Sequence, residues 1–296
     1  MEKPGQVYLL IFTKVFLIGL AHHSTIPVFH YSNCEQRELS PVSSATVFFH
    51  PSLFYRRVVG AFSSEKIILA LDIKSFKEAE EFVELLRDYV GVFKVGKQLF
   101  THCGPKIIEM IHHHKGKVFL DLKYHDIPHT VARAVEEACK LKVFMLTLHA
   151  MGGQKMMQGA VDASIKMAKK LSSTPPLILA VTILTSLQQE DLKDIGMVPP
   201  IEDAVLRLAK LSQRAGVNGV VASARETALI RATCGSDFII VTPGIRPKGT
   251  TPYDQKRTVT PKEALLAGSD YIVIGRPLLE ASDPIEAAKE IVKELQ

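Results

Sequence analysis

Tryptophan is absent from the 296-residue chain, and cysteine is scarce, occurring only as Cys34, Cys103, Cys139 and Cys234. The four cysteines lie far apart, with no Cys-x-x-Cys pair and no histidine at metal-binding spacing. A zinc site and a disulfide framework are therefore not expected, and the thiols read as reduced and mostly buried, as in a cytoplasmic protein. Clustered basic residues are lacking too. The formal net charge is +5, and no block of Lys and Arg could track a phosphate backbone, so no nucleic-acid partner is expected. A mild positive charge suits ordinary solubility and an anionic small-molecule ligand alike. The apolar run Val7 to Ala21 falls short of the ~20 residues of a membrane-spanning helix, and no membrane partner is expected. The run His112-His113-His114 is not a metal cluster, because adjacent residues on a helix point in different directions. It reads as a solvated helix end.

What the chain does contain is the balance of a soluble globular protein, 47% hydrophobic and 23% charged. Its first 64 residues differ from the rest. The run Val7–Ala21 follows Lys3 and has the length of a signal-peptide core, but it ends in Gly-Leu-Ala-His-His, without a small-x-small cleavage site. An export signal, a membrane-surface anchor and a poorly structured extension compete here. The extension is the preferred reading, because the pattern of residues 65–296 is complete without it. At 64 residues it is also too short for a second enzyme domain.

From Lys66 onward, short β-branched or apolar runs alternate with amphipathic stretches, the pattern of βα units and a parallel sheet. Strands are expected at Ile67–Asp72, Val92–Gly96, Lys117–Lys123, Val143–His149, Leu177–Thr182, Gly219–Ala222, Phe238–Val241 and Tyr271–Ile274. Helices are expected at Phe76–Tyr89, Pro105–His114, Thr130–Lys140, Ala204–Ala215 and Pro261–Ala267, with Ser75 and Thr260 as N-caps and Pro261 at the first helical position. Eight such units in about 230 residues fit a (β/α)8 TIM barrel, a closed parallel barrel ringed by helices. An open doubly wound sheet is the runner-up, but it usually carries a Gly-rich turn after its first strand, where this chain has Leu71-Asp72-Ile73-Lys74.

Parallel strands covered by helices should be almost continuously hydrophobic, so charges within them are informative. They fall at strand C-termini, where barrels keep their chemistry: Asp72 ending strand 1, Lys94 near the end of strand 2, Asp121 and Lys123 in strand 3, and Asp126 on the loop beyond it. Strand alternation puts Asp121 and Lys123 on one side and Leu120 and Leu122 on the other. An isolated charge of this kind is usually an ordinary ion pair. Burying the whole set without a function would be costly, and the functional reading prevails. A second group, Thr242-Pro243-Gly244-Ile245-Arg246 and Gly275-Arg276-Pro277, follows strands 7 and 8. Loops there commonly bind phosphate: glycine lets backbone N–H groups approach an anion, and arginine offers a forked donor. The polar stretch between them, Pro247–Arg257, has the composition of a lid, with a flexible loop as the alternative.

These residues together resemble the bacterial-type orotidine 5′-phosphate decarboxylase family over roughly residues 65–296. The most specific block is Asp121-x-Lys123-x-x-Asp126-Ile127. It is supported by Leu-Ala-Leu-Asp72, Phe-Lys94-Val-Gly-Lys, Val-Thr-x-Leu-Thr185-Ser, Thr-Pro-Gly-Ile-Arg246-Pro and Ile-Gly275-Arg276-Pro. The resemblance implies cofactor-free decarboxylation of orotidine 5′-monophosphate to UMP, the last step of de novo pyrimidine nucleotide synthesis, in the cytoplasm. It implies Lys123, Asp121, Asp126 and Lys94 as catalytic residues, with Asp72 and Lys94 at the ribose hydroxyls. Thr185 and Ser186 would lie near the pyrimidine, and Pro243, Arg246, Gln255, Gly275 and Arg276 at or over the phosphate. Ile127 and Thr130 would also touch substrate. A homodimer is implied, with the Asp126 loop reaching the partner's site. His129 departs from the family's frequent Asn. A related metal-dependent class, the sugar-phosphate enzymes such as hexulose-phosphate synthase, shares the Asp-x-Lys-x-x-Asp pattern but has an acidic residue where this chain has Lys94, so no metal is expected. A non-catalytic phosphate-ligand binder would have no use for two aspartates facing an anion.

Overall fold

The computed structural model describes residues 64–198, 200–247 and 259–296. Gln255 and most of the expected lid therefore lie outside the described residues, as does the N-terminal segment through residue 63. Eight strands close in sequence order into a parallel barrel, β8 pairing with β1. They are β1 (Ile67–Ala70), β2 (Val92–Gly96), β3 (Lys117–Tyr124), β4 (Met145–His149), β5 (Leu177–Val181), β6 (Gly219–Val221), β7 (Ile239–Thr242) and β8 (Tyr271–Ile274). The helical elements named here are α1 (Phe76–Leu86), α2 (Lys97–Cys103), α3 (Lys106–His113), α4 (Pro128–Lys140), α5 (Gly153–Lys170), α6 (Gln189–Asp194), α7 (Ile201–Arg214), α8 (Ala224–Cys234), α9 (Pro261–Leu266), α10 (Arg276–Leu279) and α11 (Pro284–Glu294). None of the described helices is long and apolar enough to cross a membrane.

The barrel is built by the alternation of strand side chains. Ile68, Ala70, Val92, Phe119, Met145, Leu179, Val241 and Val273 point inward and form one buried cluster. Their neighbours in sequence, such as Ile67, Leu69, Phe93, Leu120 and Ile240, face outward into a second cluster shared with the helices. Apart from a few polar and charged residues, chiefly in β2, β3 and β4, the strands are apolar on both faces, as a doubly covered parallel sheet requires. At Gly219 only glycine fits, because a Cβ there would collide with the Ile239 carbonyl of the neighbouring strand. The other end of the barrel is held by Arg231. Its guanidinium donates to the carbonyls of Gly235, Ser236, Phe238 and Gly268 and to Asp270 Oδ2 at 2.6 Å. Asp270 also accepts from the Ile240 N–H, so one arginine ties α8 to the starts of β7 and β8.

The helix starts follow the local chemistry. Ser75 accepts from the Glu78 N–H, and Thr260 and Glu263 exchange side-chain bonds as a capping box with Pro261 at the first position. Several boundaries differ from expectation. β1 stops at Ala70 because the Asp72 N–H turns back onto the Ala70 carbonyl at 2.9 Å, leaving the ladder. β3 continues one residue further, to Tyr124, after slipping register against β4. The strand expected from Val143 begins at Met145, and that expected to reach Thr182 ends at Val181. The helix expected over Phe76–Tyr89 ends at Leu86, and the one expected from Thr130 begins two residues earlier, at Pro128, whose fixed φ suits a first turn.

Candidate active site

A cavity of about 240 Å³ opens at the C-terminal ends of the strands. Its lining divides by strand. β2, β3 and the segment just after β1 contribute Lys94, Asp121, Lys123 and Asp72; β5, β6 and the β5–α6 connection contribute apolar Val181, Ile183, Leu184 and Val221 with Thr185; the segments following β7 and β8 contribute Pro243, Gly244, Arg246, Gly275 and Arg276. Such a site has an ionic side, a greasy side and a side of glycines and arginines. That suits an anionic ligand with a flat apolar portion.

The ionic side is a chain of alternating charges. Lys94 Nζ lies 3.2 Å from Asp72 Oδ1 and 3.6 Å from Asp121 Oδ2, and Lys123 Nζ lies 2.6 Å from the same Asp121 oxygen. The Lys94 and Asp121 side chains are each 11% exposed, Lys123 is 25% and Asp72 63%. The middle of the chain is therefore dry and its Asp72 end is solvated. Burial opposes ionisation of Asp121 most strongly. The ammonium groups of Lys94 and Lys123, with hydrogen bonds from Lys123 and Thr147, overcome it and hold the carboxyl below the usual aspartate range.

Strand geometry aims these groups. Opposite β4, three residues of β3 (Asp121, Leu122 and Lys123) stand against the single residue Thr147, because pairing resumes only at Tyr124 with Leu148. Lys123 takes a positive φ of 53° within this bulge, an unusual conformation for a residue with a Cβ. Thr147 is fully buried; its hydroxyl donates to Asp121 Oδ1 at 2.8 Å and accepts from the Lys123 N–H at 2.9 Å. Leu120 and Leu122 pack outward, as strand alternation predicts. At the end of β4, His149 sits with its ring 5.4 Å from that of His125. Burial, with the charges of His125, Lys123 and Lys97, pushes its pKa down to about 4, and only Asp121 opposes this.

Nine of the expected site residues line this cavity: Asp72, Lys94, Asp121, Lys123, Thr185, Pro243, Arg246, Gly275 and Arg276. Asp126, Ile127 and Thr130 do not. They are exposed on the β3–α4 connection and the first turn of α4, with Asp126 Oδ1 accepting from the Ile127 N–H and Ile127 66% exposed. Ser186 is exposed beside Thr185 and is also outside the lining. Gln255 lies outside the described residues. Sequence reasoning missed Thr147 and His149. A polar pair at alternate positions of the otherwise apolar Met145–His149 strand was the available signal. Beyond the expected lid, Ile245 and Val259 form a parallel bridge, and the Arg246 N–H donates to the Val259 carbonyl at 2.9 Å.

Comparison with known proteins agrees with this geometry. Residues 65–291 match the family model described as "Orotidine 5'-phosphate decarboxylase / HUMPS family". A Syntrophotalea carbinolica protein named orotidine 5′-phosphate decarboxylase is 54% identical over 231 residues, covering 78% of this chain and 95% of that protein. Its namesake from Geobacter sulfurreducens is 52% identical over 231 residues, covering 78% and 96%. The crystal structure of orotidine 5′-phosphate decarboxylase from Lactobacillus acidophilus superposes with a TM-score of 0.69 at 36% identity, covering 78% of this chain and 98% of that one. The Pyrococcus horikoshii structure, at 24% identity and a TM-score of 0.63 over 77% and 98%, shares the fold. With its barrel, its charged chain and these matches taken together, the chain belongs to the orotidine 5′-phosphate decarboxylase / HUMPS family.

Proposed function

We propose that this chain decarboxylates orotidine 5′-monophosphate to UMP in pyrimidine nucleotide synthesis, without a cofactor. The observation that carries the reading is the dry Lys94–Asp121–Lys123 chain beside an apolar wall, supported by family membership and by relatives bearing that name. Breaking the bond between C6 and the carboxylate leaves an electron pair in the plane of the pyrimidine ring. That pair cannot delocalise into the π system, so an electron-sink cofactor would not help. A fixed ammonium can stabilise it through space, and Lys123 is the group assigned to do so. Attraction between unit charges ~4 Å apart is about 1 kcal/mol in water and about 4 kcal/mol at an effective dielectric of about 20, so closure that excludes water strengthens the effect. CO₂ leaves, Lys123 gives its proton to C6 as general acid, and its amine regains a proton from solvent. Asp121 orients Lys123, and beside the substrate carboxylate it disfavours the bound ground state.

Arg246, Arg276 and the backbone at Gly275 are assigned to the phosphate, with Gln255 closing from the lid, so that contacts remote from C6 favour the closed state. The exposed Asp126, Ile127 and Thr130 are assigned to the site of a second copy, in a homodimer. Residues 1–64 stand outside the catalytic unit, and the enzyme works in the cytoplasm. A divalent cation would have to displace the Lys94 ammonium from both Asp72 and Asp121, which argues for the decarboxylase rather than the metal-using sugar-phosphate chemistry. The test is the ultraviolet assay of the purified protein with orotidine 5′-monophosphate in the presence of EDTA. Loss of substrate absorbance with appearance of UMP is expected. A folded protein that shows no turnover, or turns over only with added metal, overturns the reading.

A further inference from the structure

We infer that Thr147 is a positioning residue for this reaction, its hydroxyl locking the β3 bulge that aims Lys123 at the substrate. The inference rests on the proposed decarboxylation and names a residue outside the charged chain that sets its geometry. Thr147 stands alone opposite Asp121, Leu122 and Lys123. It is fully buried, and both bonds of its hydroxyl go to the chain: it donates to Asp121 Oδ1 at 2.8 Å and accepts from the Lys123 N–H at 2.9 Å. One side chain thus fixes the carboxylate that bonds the Lys123 ammonium and the backbone from which that ammonium hangs.

The Lys123 backbone needs such a tie. Its φ of 53° lies in the left-handed region, which a side chain with a Cβ enters only when its surroundings hold it there. A regular strand would supply a ladder partner for the Lys123 N–H; in the bulge the threonine hydroxyl takes that place. Without it, the N–H has no partner in the neighbouring strand and the bulge is free to change shape, which would move the Lys123 backbone, and with it the ammonium, out of its place beside Asp121. The hydroxyl also stabilises the ionised form of Asp121, one of several causes that keep its carboxyl below the usual range.

The experiment compares Thr147→Val, which keeps the shape and removes the hydroxyl, with Thr147→Ser, which keeps the hydroxyl. Thr147→Val should lower kcat by about 10²-fold, as expected for a misplaced catalytic group, with KM little changed. The acidic limb of its pH–rate profile should move to higher pH, because Asp121 has lost a donor. A merely structural role would not move that limb. Thr147→Ser should rescue most of both effects. A Thr147→Val enzyme with wild-type kcat and an unshifted acidic limb overturns the inference, and so does a Thr147→Ser enzyme as impaired as the valine variant. If the valine variant does not fold, Thr147→Cys, with its weak donor, takes its place under the same criteria. Lys123→Ala is measured alongside. Near-normal turnover there brings down the decarboxylation mechanism itself, whereas an inactive Lys123→Ala beside a normal Thr147→Val removes only the positioning role.

Discussion

Replacing Asp121 with asparagine keeps the shape of the site and removes its central charge. At an effective dielectric of about 20, the gross attraction of Asp121 is about 6 kcal/mol to Lys123 and about 5 kcal/mol to Lys94 at their separations of 2.6 and 3.6 Å. Neither figure is a net contribution, because all three groups are largely removed from water. Taking one partner out of a buried pair costs about 3–5 kcal/mol, most of it the burden of the charge left behind. Here Lys94 keeps Asp72 at 3.2 Å and Lys123 is 25% exposed, so both stranded ammonium groups retain some relief. The expected destabilisation is therefore near the lower end, about 3 kcal/mol at neutral pH.

Acid supplies the sharper test. The folded-state pKa of Asp121 is depressed, so its ionisation adds stability above the ordinary aspartate value of about 3.9, and that stability is lost as pH falls through the lower folded value. Asparagine has no such loss. In urea unfolding at a series of pH values, the gap between wild type and Asp121→Asn should be widest near neutrality and should close below about pH 4. A gap that is absent at pH 7, or constant down to pH 3, would refute the claim that Asp121 is ionised and held by two lysines.

Arg276→Ala should raise KM for the phosphorylated substrate about 10- to 100-fold, the value of a charge-assisted hydrogen bond; steady-state kinetics with KM and kcat both unchanged would remove Arg276 from the phosphate site. Arg231→Lys keeps the charge but cannot reproduce a fork that reaches four carbonyls and Asp270. It should cost about 2–4 kcal/mol and lower Tm by roughly 5–10 °C with turnover at 25 °C intact, and an unchanged melting curve would contradict it. His149, with its pKa pushed to about 4, is neutral in the fold while the unfolded chain takes up a proton below about pH 6.5, so stability erodes as pH falls from there toward 4. The full shift would correspond to about 3 kcal/mol, reduced to about 1–2 because the ring is only half buried. His149→Gln should remove that part of the acid sensitivity, as read by unfolding at pH 7 and pH 4.5.

The barrel was legible in the sequence because its strands obey a simple rule, apolar on both faces, and the charges that break the rule stand out. Asp72, Lys94, Asp121 and Lys123 were found that way, and all four line the cavity. Ser75 and Thr260 were legible as caps because their geometry is local. Strand ends were less so. Whether a residue such as Asp72 continues a ladder or turns back on its own carbonyl depends on the neighbouring strand, which no local pattern encodes. Helix α2 was hidden for a similar reason: it begins directly after Gly96, with no loop residues to announce it.

The placement of Lys123 shows where sequence reasoning reached the right residue by an incomplete route. Even alternation would put Asp121 and Lys123 on one face, and both do meet at the cavity. They meet, however, through a bulge in which Lys123 adopts a backbone conformation usually left to glycine or asparagine. Nothing in Asp-Leu-Lys-Tyr announces a positive φ. The residue that supports it, Thr147, lies 24 positions away on another strand, and a threonine in a strand reads as an ordinary β-former. Its role emerges only when the register of β4 sets its hydroxyl between a carboxylate and a backbone N–H. The charges of the site are thus a property of local sequence, and their aim is a property of strand pairing. A substitution that leaves all four charged residues in place can still disable the site by releasing the bulge.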